Sequence, residues 1–327
     1  MPAIVPVTGN ATYTAQFDEN LVTRFARHSL TLNGDIGVNF YLNLTAAEAQ
    51  NATVDFELNG ETLSTDSTLN AATVDGRTYY MASCNVCAPE MADTITATLK
   101  IDEEEVESED YSVKTYGDRF LSDEYKVVYL EKGHTEDEYN KLATLVQTML
   151  NYGAATQVQF ADEHPNTVFA NEDISYDLVP LNSDELSAIN MPAPDKDAIN
   201  AQLEGTGLTY YGYTMLLHSK TKLRFYFQKD SKDTDISGIQ LTRGGTAYNA
   251  QNYNDWFCYV EVPEIPAYEL NNAFTLSVNG TELGSYSALT YVKDVLTDNT
   301  LAEEDPLIYT VTAMYRYHQA AVTYFNN

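Results

Sequence analysis

Residues 30–41 read LTLNGDIGVNFY, and residues 215–226 read MLLHSKTKLRFY. Leu30 matches Met215, Leu32 matches Leu217, Val38 matches Leu223, and Phe40-Tyr41 matches Phe225-Tyr226. Two more blocks recur in the same order. Tyr111-Ser112, Tyr116 and Leu121 match Tyr286-Ser287, Tyr291 and Leu296. Leu142–Phe160 matches Leu307–Phe325, with Met149 on Met314, Tyr152 on Tyr317, Ala155 on Ala320 and Phe160 on Phe325. The offset between copies falls from 185 to 175 to 165, as loops of the second copy shorten. Two copies are too few for a solenoid, so the pattern predicts a duplication into two similar lobes. A binding surface is then expected on both lobes or between them.

Within each copy the first block alternates at period two. Leu30 and Leu32, then Val38, Phe40, Leu42 and Leu44, flank the turn Asn33-Gly34-Asp35. Thr53–Leu58, Thr94–Ile101 and Tyr111–Val113 extend the strand signal, with Asn59-Gly60 closing a hairpin. The second copy predicts strands over Tyr213–Leu217, Lys222–Phe227, Gly238–Thr242, Trp256–Val262, Phe274–Val278 and Leu283–Tyr286. Short strands spaced by such turns predict antiparallel sandwiches. Each copy then changes period. Leu142, Val146, Met149, Gly153 and Phe160 step by three or four, as do Leu307, Val311, Met314, His318, Ala321 and Phe325, so both ends are amphipathic helices. Thr135 with Glu138 supplies the first with a cap, and Pro306 suits the opening turn of the second. Shorter helices are expected at Tyr116–Leu121 and Tyr291–Leu296. The fold class is therefore mixed and mainly β, with two antiparallel β-sandwich lobes, each followed by helices. The lobes are placed at 1–160 and 206–327. Residues 161–205 form a connector with short helices at Ser183–Ile189 and Asp195–Leu203. Val168, Phe169, Leu178, Val179, Ile189 and Met191 make it too apolar for a free linker.

The 327 residues carry 48 acidic and 18 basic side chains, a net charge of -30. That excludes a nucleic-acid partner, which needs clustered cations, and argues against anionic membrane surfaces. No apolar run approaches the length of a membrane-spanning helix. The N-terminus has neither the charged nor the apolar region of a signal peptide, and the chain is expected to be a mature fragment of a secreted or cell-surface protein. Cys84, Cys87 and Cys258 are too few and too unevenly placed for a disulfide framework or a zinc site. Asp230, Asp233 and Asp235 do not fit a calcium loop. No cofactor and no metal are expected.

Tyrosine is the outlier, with 25 copies against a single tryptophan. Most of these are expected to serve strands, which favour tyrosine. Two stretches of the second copy read otherwise: LTYYGY, with Tyr210, Tyr211 and Tyr213, and TAYNAQNYNDWFCY, with Tyr248, Tyr253, Trp256 and Tyr259 among Asn252, Asn254 and Asp255. Flat rings cover the C–H face of a sugar, while amides and carboxylates pair with its hydroxyls. In the first copy Tyr79 and Tyr80 occupy the corresponding strand, with Tyr80 aligned on Tyr259. No GxSxG, HExxH, GxxxxGK[ST] or GxGxxG motif occurs, and none of the five histidines pairs with another on a helix face. The chain is therefore not expected to be an enzyme.

The segments SLTLNGDIGVNFYLNL (29–44), YSVKTYGDRFL (111–121) and LVQTMLNYGAATQVQF (145–160) resemble a module of large secreted proteins of gut clostridia, especially ruminococci. The duplicated form is similar to the starch-binding domain of the ruminococcal starch adherence proteins of the amylosome. The resemblance covers nearly the whole chain and implies a non-catalytic module that grips starch-like α-1,4-glucan or maltooligosaccharide as part of a larger secreted protein or complex. The alternatives are a structural or adhesin spacer of a cell-surface protein and, third, a glycoside hydrolase, whose carboxylate pair only spatial separation would identify.

Overall fold

The computed structural model describes residues 23–32, 34–161, 179–217, 220–302 and 305–325. The fold is β-rich, with helices, and its strands pair antiparallel. In the first copy β1 (Phe25–Thr31), β2 (Ile36–Leu42), β6 (Arg77–Val86) and β5 (Asn70–Val74) form one sheet in that order. The facing sheet runs β4 (Glu61–Asp66), β3 (Ala52–Leu58), β7 (Ile95–Ile101) and β8 (Glu104–Tyr111). The second copy repeats both orders. One sheet runs β9 (Leu208–Leu216), β10 (Lys222–Lys229), β14 (Phe257–Val262) and β13 (Gln251–Asn252). The other runs β12 (Thr246–Asn249), β11 (Ile239–Arg243), β15 (Phe274–Val278) and β16 (Thr281–Tyr286).

Alternation fills each core from both sheets. Val38, Phe40 and Leu42 of β2 are fully buried, and the Phe40 ring lies 5.6 Å from that of Phe56 on β3. Their counterparts Leu223, Phe225 and Phe227 are equally buried, with Phe225 5.3 Å from Tyr286 on β16. Even the irregularities recur. The first strand bulges beside Phe25 in one copy and beside Tyr210 in the other, so that Phe25 opposes Leu42 and Tyr210 opposes Phe227. Asn59-Gly60 and Asn279-Gly280 turn their hairpins with positive φ at both residues (51° and 84°, 50° and 79°), which Asn and Gly tolerate.

The helices follow. α1 (Val113–Leu121), α2 (Asp123–Glu131) and α3 (Glu136–Gln159) close the first copy; α6 (Ala288–Thr297) and α7 (Pro306–Phe325) close the second. Tyr111–Val113 is not a strand: β8 ends at Tyr111, Ser112 caps α1 by accepting from Thr115 N at 2.9 Å, and Val113 opens the helix. The Thr135–Glu138 capping box starts α3 as its spacing predicts. Met149, Tyr152, Met314 and Tyr317 are buried, while Phe160 and Phe325 are half-buried. α3 and α7 also pack on each other. Tyr152 and Tyr317 stack at 6.1 Å, and Thr310 Oγ1 donates to the Ala155 carbonyl at 3.1 Å. Small residues at Gly153, Ala154, Ala155, Ala313, Ala320 and Ala321 let the helices approach. Lys220 adds a second bridge between the copies, reaching Asp35 at 3.1 Å and Glu264 at 2.5 Å.

The connector is docked on the second copy. Its helices α4 (Ser183–Ala188) and α5 (Lys196–Gln202) bring Ile189, Ile199 and Leu203 into the core. Asn200 covers the backbone of β9 at its bulge, accepting from Tyr210 N at 2.6 Å and donating to Tyr210 O at 3.4 Å. Lys293 Nζ donates to the Ile189 carbonyl at 2.8 Å, and Arg316 pairs with Glu185. Val179 is exposed, contrary to expectation, and Val168, Phe169 and Leu178 lie outside the described residues.

Candidate functional site

The outer face of the sheet β9-β10-β14-β13 gathers much of the aromatic content that its inner face does not. Register decides which residue goes where. Phe225, Phe227, Cys258 and Val260 point inward, which leaves Arg224, Tyr226, Phe257, Tyr259 and Glu261 on the outside. The bulge of β9 places Tyr211 there as well. Tyr211 is 58% exposed and meets the Phe257 ring edge-on at 5.2 Å. Tyr253 is 63% exposed and meets Tyr226 edge-on at 6.2 Å. Tyr226 and Tyr259 lie 6.2 Å apart. One ring face of Tyr259 is covered by the Arg224 guanidinium at 4.0 Å, and Arg224 is itself fixed by Glu261 at 2.6 Å and by the Tyr226 hydroxyl at 3.1 Å. The Tyr259 hydroxyl donates to Gln251 Oε1 at 3.2 Å. The result is a band of rings across the sheet, pinned by edge-to-face contacts.

Trp256 stands 55% exposed in the β13–β14 hairpin, one residue before β14. Asn254 shapes that hairpin: its Oδ1 accepts from Trp256 N at 2.8 Å and Phe257 N at 2.9 Å. Asn252 is engaged too, accepting from the buried Lys229 Nζ at 2.7 Å. Both amides hold the loop rather than wait for a ligand, whereas Asp255 is exposed at its tip.

Four expected residues are placed elsewhere. Tyr210 is 1% exposed and Tyr213 is half-buried, because LTYYGY is strand β9 and the bulge at Tyr211 resets the alternation so that both rings face the core. The Tyr213 hydroxyl donates to Asp294, and burial raises the pKa of both groups. Tyr248 belongs to β12 in the other sheet, half-buried opposite Leu241. Tyr80 does not correspond to Tyr259. It opposes Leu42 as Cys258 opposes Phe227, so it faces the core, and Met81 is the counterpart of Tyr259. A shift of one residue reverses the face. Tyr79 remains on the outside and is the counterpart of Phe257. It meets Tyr41 edge-on at 6.1 Å, with Arg77 over it at 5.4 Å.

Tyr226, Phe257 and the Arg224–Glu261 pair were not among the expected site residues. The signal for them was present: Phe225 and Tyr226 are adjacent on a strand, so if one is core the other is surface. The thiols are unreactive by environment, since burial pushes Cys84 and Cys87 up to about 12 and Cys258 up to about 11. Among the described residues no cluster of histidine, cysteine and carboxylate groups has the makings of a metal site. Neither a protein-family model nor any curated protein matches the chain.

Proposed function

We propose that the chain is a non-catalytic carbohydrate-binding module, and that the outer face of the sheet β9-β10-β14-β13 takes a starch-like α-1,4-glucan. One observation carries this reading. Large aromatic side chains are exposed at four positions among the described residues, and Tyr211, Tyr253 and Trp256 are three of them, all on or beside this sheet. Exposed rings held rigid by neighbours are costly to a purely structural surface and suit a flat ligand with apolar ring faces. Strands about 4.8 Å apart spread the rings over about 14 Å, so the face is wide enough for more than one sugar unit. Gln228, exposed beside Phe257, and Gln251 offer amides to hydroxyls. The resemblance to starch-adherence modules names the glucan, and the band of exposed rings supports a glycan ligand.

Titration with maltoheptaose tests the reading directly, since Trp256 is the sole tryptophan and its fluorescence reports on the site. Binding should shift the emission. Tyr211→Ala, Tyr253→Ala and Trp256→Ala should each weaken binding by roughly 1–3 kcal/mol, the range for an aromatic anchor. If all three variants fold and are retarded by amylopectin in a native gel as strongly as the parent chain, this face is not the site.

A further inference from the structure

A cleft of about 650 Å³ opens in the first copy, between the edge of β1 and the helices α1 and α2. That is the size of a small-molecule site. Its wall is aromatic: the His28 ring stacks on Tyr111 at 3.8 Å, and Tyr116 and Tyr125 continue the surface. Its charged lining is mixed: Arg27, Arg119 and Lys132 border it together with Glu109 and Glu124, and Arg27 is paired with Asp75 at 3.4 Å. Among the described residues neither Arg119 nor Lys132 has a carboxylate within ion-pair distance. In a chain of net charge -30, two cations without an ion-pair partner beside one cleft require a reason.

Folding does not supply that reason. A cation in the last turn of α1 suits the helix dipole, yet the second copy carries Asp294 at the place of Arg119 and Tyr213 at the place of His28. There the two groups bond to each other. The same architecture therefore stands without the arginine. α2 is also particular to the first copy: no helix separates α6 from α7 among the described residues. It buries no residue fully, leaves Val127 and Val128 exposed, and contributes Tyr125 and Val128 to the cleft.

We propose that this cleft binds a carboxylated sugar ring, a uronate, with the ring against the tyrosine wall and its carboxylate between Arg119 and Lys132. Cationic donors to a carboxylate make the strong class of hydrogen bond. Glu109, whose carboxylate accepts from His28 Nε2 at 3.1 Å, and Glu124 on the rim serve the ring hydroxyls. This site shares no residue with the proposed glucan face and does not depend on that reading.

Calorimetric titration of the whole chain with trigalacturonate and, in parallel, with maltotriose tests the proposal. Trigalacturonate should bind, and more weakly as salt rises, because the contacts are charged. Arg119→Gln and Lys132→Gln should each reduce its affinity by about tenfold, one charge-assisted hydrogen bond, while Trp256→Ala should leave it unchanged. Both substituted positions are exposed, so neither substitution disturbs buried packing, and each variant tests the site without the other. No binding of trigalacturonate, or binding that neither Arg119→Gln nor Lys132→Gln weakens, overturns the proposal. Binding abolished by Trp256→Ala would overturn it as well, by moving the uronate to the second copy.

Discussion

Tyr210 and Tyr213 are three residues apart and differ in one atom's environment. The Tyr210 hydroxyl is buried with no hydrogen-bond partner among the described residues, and the same place in the first copy is Phe25. Tyr210→Phe should therefore raise stability, by about 1 kcal/mol, since an unsatisfied buried hydroxyl is a net cost. Tyr213→Phe should lower it by about 1–3 kcal/mol, because Asp294 would lose its donor in a half-buried setting. Urea unfolding of the two variants decides this, and equal effects would show the hydroxyl assignments to be wrong. His28 makes a third case. Burial, helped by the Arg119 guanidinium, lowers its pKa to about 4 from the ordinary 6.5. Between those values the unfolded chain binds the proton and the folded chain does not, so stability is full above pH 6.5 and falls as pH drops toward 4. Glu109 and Tyr111 face the same ring, and Glu109 opposes the shift when ionised. The loss attributable to His28 should be about 1–3 kcal/mol. His28→Phe should narrow the difference in melting temperature between pH 7 and pH 4.5, and an unchanged difference would remove His28 from the acid response. None of this was legible in the sequence. The aromatic content of LTYYGY was plain, but whether a ring faces core or solvent depends on a bulge and on a one-residue register, which only pairing fixes.

At the scale of elements, periodicity found what was buried and missed what was not. α3, α7 and the central strands β2, β3, β7, β10 and β15 stood out because each lays an apolar row against a core. β4 is exposed along nearly its whole length, β12 and β13 are short and mostly exposed, and none carries a clear alternation to read. Backbone pairing holds such edge strands, and backbone pairing leaves no mark on side-chain polarity. α2 was missed for the same reason, although Ser122 caps it and Asp123 and Glu124 occupy its first turn. The acidic run Glu104–Asp110 belongs to β8 at the edge of its sheet, where its charges stay solvated. Where a burial pattern exists, it predicts energies. Met149→Ala or Met314→Ala should cost about 2–5 kcal/mol, since both side chains are enclosed and a cavity would remain. Thr135→Ala should cost about 1 kcal/mol, because its hydroxyl accepts from Glu138 N at 3.2 Å while Glu138 reaches back to Thr135 N at 2.7 Å. A Met149→Ala variant as stable as the parent chain would mean that α3 is not anchored by this row.

For the whole molecule, the repeat in the sequence announced two copies but not how they meet. The joint is made by the same element twice: α3 and α7 carry the same motif, and each buries its small residues against the other. Gly153 belonged to the periodic apolar row of its helix, with no sign in the sequence that the core was shared. Such a joint should make the copies unfold together. Buried tyrosines stack across it, and the Lys220 bridge to Asp35 and Glu264 adds a charged contact at its rim. Ala155 is the place to test this, being 1% exposed with its carbonyl bonded to Thr310. Ala155→Leu would force the helices apart at a cost of about 1–3 kcal/mol, the usual range for overpacking. Calorimetry of the parent chain should give one transition, whose calorimetric and van't Hoff enthalpies agree. Ala155→Leu should split or broaden it, with one component near the parent's melting temperature, as the less stable copy loses the support of the other. Two separate transitions in the parent chain would show that each copy stands alone and that the paired helices join them without coupling them.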